Sequence, residues 1–322
     1  LAFPKFLLAN QEVGSLEADL LYHENRLSLS GISGQFFSGV FSGEVHARFV
    51  SDTLSHGSST GNATGAAENS VGGFEAKLKY TDLPLDRLLE VSPWTAQVKD
   101  LSLKGLFVTG DVAVSGAGMG DGVQADGKVE AKRLPLFSPA VPEKAAPLQK
   151  LAGLFESGKL QWNWSSDGLA VEKGELVLPG TVLVFSGRWE KTEGLVLETA
   201  LSSQDVGKIT ETVGLPLAGG VTATGVLSQR EGIPSFQGGI HFKSGALRGQ
   251  TFTSFVSDLD LKGRRVGIKK AVLNVPAKTE SGRPPSPAGI YQAEGPVALD
   301  DLNYALLVFK VAVNSGTAQE VC

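Results

Sequence analysis

Runs that alternate apolar with polar side chains recur along this chain, punctuated by glycine every five to ten residues, and that rhythm excludes most folds. In "GALRGQTFTSFVSDLDLKGRRVGIKKAVLNV", residues 245–275, Leu259 and Leu261 alternate with Asp258 and Asp260. A two-residue period puts the leucines on one face of a strand and the carboxylates on the other. Lys262-Gly263-Arg264 supplies a turn, and Val266, Ile268 and Val272 resume the apolar parity on a returning strand, with Lys269 pointing away. The same pattern fills "RLSLSGISGQFFSGVFSGEVHARF", "GLFVTGDVAVSG", "GKLQWNWSSDGLAVEKGELVLPGTVLVFSGRW" and "GGVTATGVLS". Forty glycines, one methionine and four tyrosines in 322 residues agree with a turn-rich β protein.

Three stretches break the alternation with helical spacing. Residues 82–90 place Pro84 in a first turn and leucines at 85, 88 and 89. Residues 142–155 put Leu148, Leu151, Leu154 and Phe155 on one stripe, and residues 205–213 start at Asp205 as an acidic cap and carry Val206, Ile209 and Val213. Each follows a strand, and they are too few for a doubly wound fold, which has about one helix per strand. The expected architecture is therefore mainly β: a long, curved antiparallel sheet forming a groove, with a few short inserted amphipathic helices. It runs through residues 1–322 as one extended, repeat-built segment. Two tracts, 51–73 and 277–289, are rich in Ser, Gly, Asn and Pro and poor in apolar residues, and are expected to be flexible loops.

A net charge of −5 leaves no cationic excess to neutralise phosphates, so nucleic acid is not an expected partner. The one cysteine, Cys322, excludes a disulfide framework and a thiolate metal site. No run reaches the roughly 20 apolar residues of a membrane helix. The opening "LAFPKFLLANQEV" holds Pro4 and Lys5 within its apolar stretch, unlike a signal peptide. The chain starts without Met and ends just after "ALLVFKVAV", so it is expected to be an excerpt of a longer protein.

Motifs that look like chemistry fail on context. "GLFESGKL", 153–160, matches a phosphate-binding loop except that Leu160 stands where a magnesium-binding hydroxyl belongs, and its Gly158 reads as the end of a helix. "GSSTG", 57–61, has the spacing of a hydrolase elbow around Ser59, with His56 nearby, but no strand-to-helix corner to strain the serine. "GAGMGDG", 116–122, lacks the third glycine of a dinucleotide fingerprint and reads as a hairpin tip. His23, His46, His56 and His241 show no metal-ligand spacing, and Asp258 with Asp260 reads as solvation of a sheet rather than as an acid–base pair. Asn62 and Asn163 head glycosylation sequons by pattern alone. No catalytic residue, metal or cofactor is expected, and the chain is not expected to be an enzyme.

The strands also resemble a known family. "LAGGVTATGVLSQREGIPSFQGGIHFKSGALRGQTFTSFVSDLDLKGRRVGIKKAVLNV", 217–275, is similar to the repeats of AsmA/TamB/YhdP-like proteins of Gram-negative envelopes. The likeness lies in its Gly-x-apolar-x-Gly strands, the step from Pro234 to Ile240 and the turn from Gly245 to Gly249. "LEADLLYHENRLSLSGISGQFFSGVFSGEV", 16–45, resembles a second copy, and "GIYQAEGPVALDDL" a third closing strand. The resemblance implies a periplasmic protein, anchored in the inner membrane by a helix outside this chain, whose sheet curls into a trough. It implies phospholipid or another acyl lipid as the bound partner, transport of phospholipid between the two membranes, and outer-membrane proteins as further partners in assembly.

The residues alone lead to a compatible mechanism. Alternating strands with few helices leave an apolar face that needs a partner, and an acyl chain is a suitable one. The expected lining positions are Leu27 and Leu29; Val112 and Val114; Leu160, Trp162 and Trp164; Val182 and Val184; Leu195 and Leu197; Ile240 and Phe242; Leu259 and Leu261; Val266 and Ile268. Two alternatives use the same parities differently: a scaffold for outer-membrane biogenesis, and a closed sandwich or solenoid serving adhesion. An enzyme would have Ser59 as its candidate nucleophile, and a transmembrane barrel would want more aromatic residues for its girdles.

Overall fold

Strands that alternate in this way pair with their sequence neighbours, because each half-apolar ribbon meets the next across a tight turn before it can meet anything else. The computed structural model describes residues 2–8, 11–51, 69–90, 105–117, 122–134, 147–212, 217–247, 250–263, 265–277, 288–298 and 312–313. Among them the fold is mainly β, a long antiparallel meander of eighteen strands with three short helices. It divides into two compact units, Leu1–Pro139 with Lys159–Leu169, and Ala140–Gly158 with Ala170–Cys322.

The first unit contains β1 (Ala2–Leu8), β2 (Gln11–His23), β3 (Arg26–Phe36), β4 (Gly39–Ser51), β5 (Asn69–Pro84), β6 (Leu106–Gly116) and β7 (Gln124–Arg133), each antiparallel to the next. Most of β8 (Ser157–Ser165) belongs to it as well. Helix α1 (Leu85–Glu90) follows β5. The expected helix began at residue 82, but Leu83 and Pro84 pair with Val108 and Phe107, so partnering across the sheet holds the strand up to Pro84.

The second unit contains α2 (Pro147–Gly153), β9 (Gly168–Leu178) from Ala170 on, β10 (Thr181–Glu190), β11 (Gly194–Ser203), α3 (Gly207–Thr212), β12 (Leu217–Arg230) and β13 (Ile233–Leu247). It continues through β14 (Gln250–Phe252), β15 (Ser254–Lys262), β16 (Arg265–Val275), β17 (Gly289–Ala298) and β18 (Ala312–Val313). From β10 to β13 each strand pairs with the next; β13 then takes both β14 and β15, and pairing runs on from β15 to β18. The turn between β12 and β13 is made by Glu231 and Gly232 at φ of 52° and 78°. A two-residue hairpin whose twist matches its strands needs positive φ at both positions, which glycine supplies without strain.

Helix α2 ends at Gly153, before the predicted end at 155, and residues 142–146 of the predicted helix lie outside the described residues. Its chain leaves the helix through tight bonds from the Leu154 and Phe155 amides to the Leu151 and Ala152 carbonyls. Gly158, expected to end this helix, lies inside β8 instead. A methyl group there would sit 3.1 Å from both the Glu175 carbonyl oxygen and the Leu176 side chain, so close strand approach explains the glycine. Of the two expected loops, 52–68 and 278–287 lie outside the described residues, while Asn69–Gly73 already belong to β5 and Gly289 opens β17.

Fully buried side chains are few and cluster beside the helices. In the second unit Val206, just before α3, packs with Val221, Phe242 and Phe252, and Leu201, Leu217, Ile240, Phe255 and Leu273 surround them. The Phe242 and Phe252 rings meet edge to face at 6.0 Å. In the first unit Leu83, Leu106 and Val108 are buried where α1 contacts β5 and β6.

Candidate functional site

Residues directly opposite in antiparallel strands share a face, so register assigns every side chain without reference to its exposure. In the first unit one set runs across the strands: Tyr22 opposite Leu27, Leu20 opposite Leu29, then Ala47 and Val45 opposite the same leucines. It continues through Phe74, Ala76 and Leu78 to Gly116, Val114 and Val112, and ends on Ala125 and Gly127. The predicted pairs Leu27 with Leu29 and Val112 with Val114 therefore lie on a single apolar face. Trp162 joins them, since a methyl group at Gly127 would fall 3.0 Å from its ring. Leu160 and Trp164 share its parity on β8, and Trp164 is 39% exposed.

In the second unit the apolar row is Leu183 opposite Leu201 and Trp189 opposite Leu195, followed by Leu197 opposite Leu227 and Leu201 opposite Ala223. Ala223 faces Ile240, Val221 faces Phe242 and Leu227 faces Phe236. Phe236 faces Leu261, and Gly238 faces Leu259. Leu259 then stands opposite Ile268, and Leu261 opposite Val266. The structure thus brings together Leu195, Leu197, Ile240, Phe242, Leu259, Leu261 and Ile268, with Val266 at the matching register position.

Val182 and Val184 are not among them. They pair with Ser202 and Ala200, on the face that carries Glu198. The run Val182-Leu183-Val184-Phe185 is apolar at every position, so its period selects no face; Leu183 and Phe185 are the inward pair. Val272 is a second correction. A bulge between Ile268 and Ala271 sets Lys269 and Lys270 against the single Glu294 of β17, and this one extra residue shifts parity, so Ala271 and Leu273 continue the apolar face and Val272 stands opposite Val256 on the other. Ile240 and Phe242 also differ from their neighbours: they are part of the small core beside α3, whereas Leu195, Leu197, Leu259, Leu261 and Ile268 are only half-buried.

Alternation picks out Trp162, Trp164 and Phe242 but leaves the other aromatic residues of this face unidentified, although the glycines point to them. Across the strands, rings lie where a glycine leaves room: Phe41 over Gly34, Phe74 over Gly116, Phe185 over Gly174 and Phe252 over Gly245. Phe236 covers both Gly225 and Gly238. A ring lying against a bare backbone fills the space that a side chain would occupy, so the face keeps low relief between strands. Buried polar side chains interrupt it. Thr181 donates to Ser203 at 2.6 Å, both buried. Ser257, opposite Ile240, is 1% exposed with its hydroxyl unpartnered.

The opposite face of each unit is charged. In the first, Lys77 bridges Glu75 at 3.0 Å and Glu44 at 3.4 Å, and hydrogen bonds to these two carboxylates, Glu75 foremost, raise its ammonium above the ordinary lysine value. Tyr80, on the apolar face opposite Gly110, is raised as well, first by burial and then by the Asp111 charge. In the second unit Lys269 lies 3.8 Å from Asp260, and His241 is exposed, as its place between Ile240 and Phe242 predicts.

Among the described residues no group of three or more His, Cys, Asp or Glu is arranged to hold a metal, and no helix is long and apolar enough to cross a membrane. Ser59, His56 and Asn62 lie outside the described residues. Asn163 is exposed within β8, and Gly122 sits in the β6–β7 turn at φ 78°. No family model matches the chain, and no curated protein matches it.

Proposed function

We propose that the apolar sheet faces of this chain shield lipid acyl chains, and that the protein helps phospholipid move between the inner and outer membranes of a Gram-negative envelope. In this reading it works in the periplasm, tethered by an anchor outside this chain, in the manner of the AsmA/TamB/YhdP-like proteins that its strands resemble. One observation carries the reading. In each unit most apolar side chains keep to one face, with Val182, Val184, Val256 and Val272 among the exceptions in the second, yet most of them stay half-exposed, because the described helices cover only a small part of that face near the strand ends. A soluble protein rarely leaves so extended an apolar face without an occupant.

The energetics favour an acyl chain as that occupant. Each methylene removed from water contributes about 0.8 kcal/mol, so a sixteen-carbon tail loses roughly 12 kcal/mol when stranded in solvent. A low-relief face of Leu, Val and flat aromatic rings offers such a tail contact all along its length without a polar partner, and it fixes no position along the way. No side chain has to act chemically for this, and the mechanism uses none.

Site-specific photocrosslinking in Gram-negative cells tests the reading. A photoreactive residue at Leu29 or Leu259 is expected to capture phospholipid, identified by the mass of the adduct, while one at Ser115, on the charged face opposite Glu75, or at Asp258 is not. Equal lipid capture on both faces, or none at Leu29 and Leu259, would remove the proposal.

A further inference from the structure

The charged face of the first unit carries an arrangement that lowers its own stability. Register sets Arg26 of β3 directly opposite Arg48 of β4, which brings two stems of like charge to about 5 Å at their Cβ atoms. Like charges so placed destabilise a sheet unless a carboxylate lies between them. None is supplied. The next strand puts Gly73 opposite Arg48, and the preceding strand puts His23 opposite Arg26. The nearby carboxylates are engaged already, Glu44 and Glu75 with Lys77 at 3.4 and 3.0 Å, Glu44 also beside His46 Nε2 at 3.8 Å, and Glu24 beside His23 at 3.9 Å. Among the described residues neither guanidinium makes a hydrogen bond or an ion pair.

One step further along this face Ser28 stands opposite His46, and the Ser28 hydroxyl meets His46 Nδ1 at 3.1 Å. Arg26, Ser28, His46 and Arg48 together line an open depression of about 340 Å³ with Glu75, whose carboxylate is held by Lys77 at 3.0 Å, and Gly73 adds no side chain. Two planar guanidiniums present paired N–H donors in the geometry that matches an oxyanion, and a hydroxyl and an imidazole add further donors. An anion of two negative charges placed between the guanidiniums converts their repulsion into two attractions. We propose that this depression is a phosphate-binding site, with Arg26 and Arg48 clamping a phosphate or phosphate-ester group and Ser28 and His46 contacting its remaining oxygens. The group could be the head of a lipid or a soluble phosphate ester, and the chemistry of recognition is the same for both.

Thermal unfolding of the whole chain is followed with inorganic phosphate, with glycerol phosphate and with chloride at matched ionic strength. Flotation with vesicles of zwitterionic lipid, with and without a phosphate-monoester lipid, forms the second arm. Phosphate is expected to raise the unfolding midpoint above that in chloride. Arg26→Gln and Arg48→Gln each weaken binding about tenfold or more, yet unfold no earlier than the parent in chloride, because the opposed charges are gone. Arg48→Lys keeps the charge but loses the paired donors and falls between. Lys79→Gln, on the same face opposite Ser42 and Asp111, is expected to bind as the parent does. Stabilisation by the soluble anions assigns a free phosphate ester; flotation that needs the phosphate lipid and both arginines assigns a headgroup. No response in either arm overturns the site, and so does a loss in Lys79→Gln equal to that in Arg48→Gln, which would reduce the effect to diffuse surface charge.

Discussion

At the scale of single residues, pairs of glycine and aromatic ring shape this protein as much as its leucines do. Phe185 occupies the space above Gly174 so fully that a methyl group there would fall 2.3 Å from the ring. Gly174→Ala is therefore expected to cost about 1–3 kcal/mol, as overpacking does. Phe185→Leu in the same chain should return part of that loss, because the conflict is with the side chain. A double-mutant cycle on denaturant midpoints measures the coupling, and strictly additive effects would show that the ring does not depend on the glycine. Ser257 poses the opposite case. Its hydroxyl is buried without a partner, so Ser257→Ala should leave stability unchanged or raise it by about 1 kcal/mol. A clear loss in chemical denaturation would mean that the hydroxyl has a partner in solution.

Elements are positioned by contacts that periodicity reveals only in part. The alternation of Leu259 and Leu261 with Asp258 and Asp260 made β15 legible down to its faces, and register confirms them. Where all positions are apolar, as from Val182 to Phe185, period carries no information and only pairing with β11 assigns the faces. Parity also fails across the bulge at Lys269 and Lys270, although two successive charges in an alternating strand are themselves a readable mark of the shift. The helices were legible by position but not by extent, because strand pairing claims Leu83 and Pro84. Helix α3, too short to persist alone, depends on Asp205. That carboxylate accepts from the Gly207 and Gly219 amides, both at 2.9 Å, and these bonds, Gly219 first, hold its pKa below the ordinary value of 3.8. A folded value below the unfolded one means that the stabilisation is complete above the ordinary value and is lost as pH falls through the folded one. Protection of the Gly207 and Gly219 amides from exchange, taken relative to their intrinsic rates, should therefore fall on acidification below that ordinary value, and Asp205→Asn should flatten this dependence. An unchanged pH profile in that variant would assign the anchoring to Val206 and the Thr210 bonds instead.

Across the molecule, the residues that hold the fold together and those that present the apolar face are largely different residues. Leu106 is 4% exposed beside α1, whereas Leu197 stands half-buried on the open face of the second unit. If the open face serves a ligand rather than the fold, truncation at the two sites should have unequal consequences. Leu106→Ala is expected to cost about 2–5 kcal/mol, the usual range for a buried leucine. Leu197→Ala should cost less than about 1.5 kcal/mol, because much of its side chain already meets water in the ligand-free protein. Binding should rank them the other way: Leu197→Asn weakens retention of a fluorescent fatty acid, while Leu106→Ala, measured where it remains folded, retains it. Equal destabilisation at both sites would mean that the face of the second unit is closed in solution by a further layer of protein. The same outcome would turn its apolar residues from the proposed lipid-bearing surface into an ordinary interior.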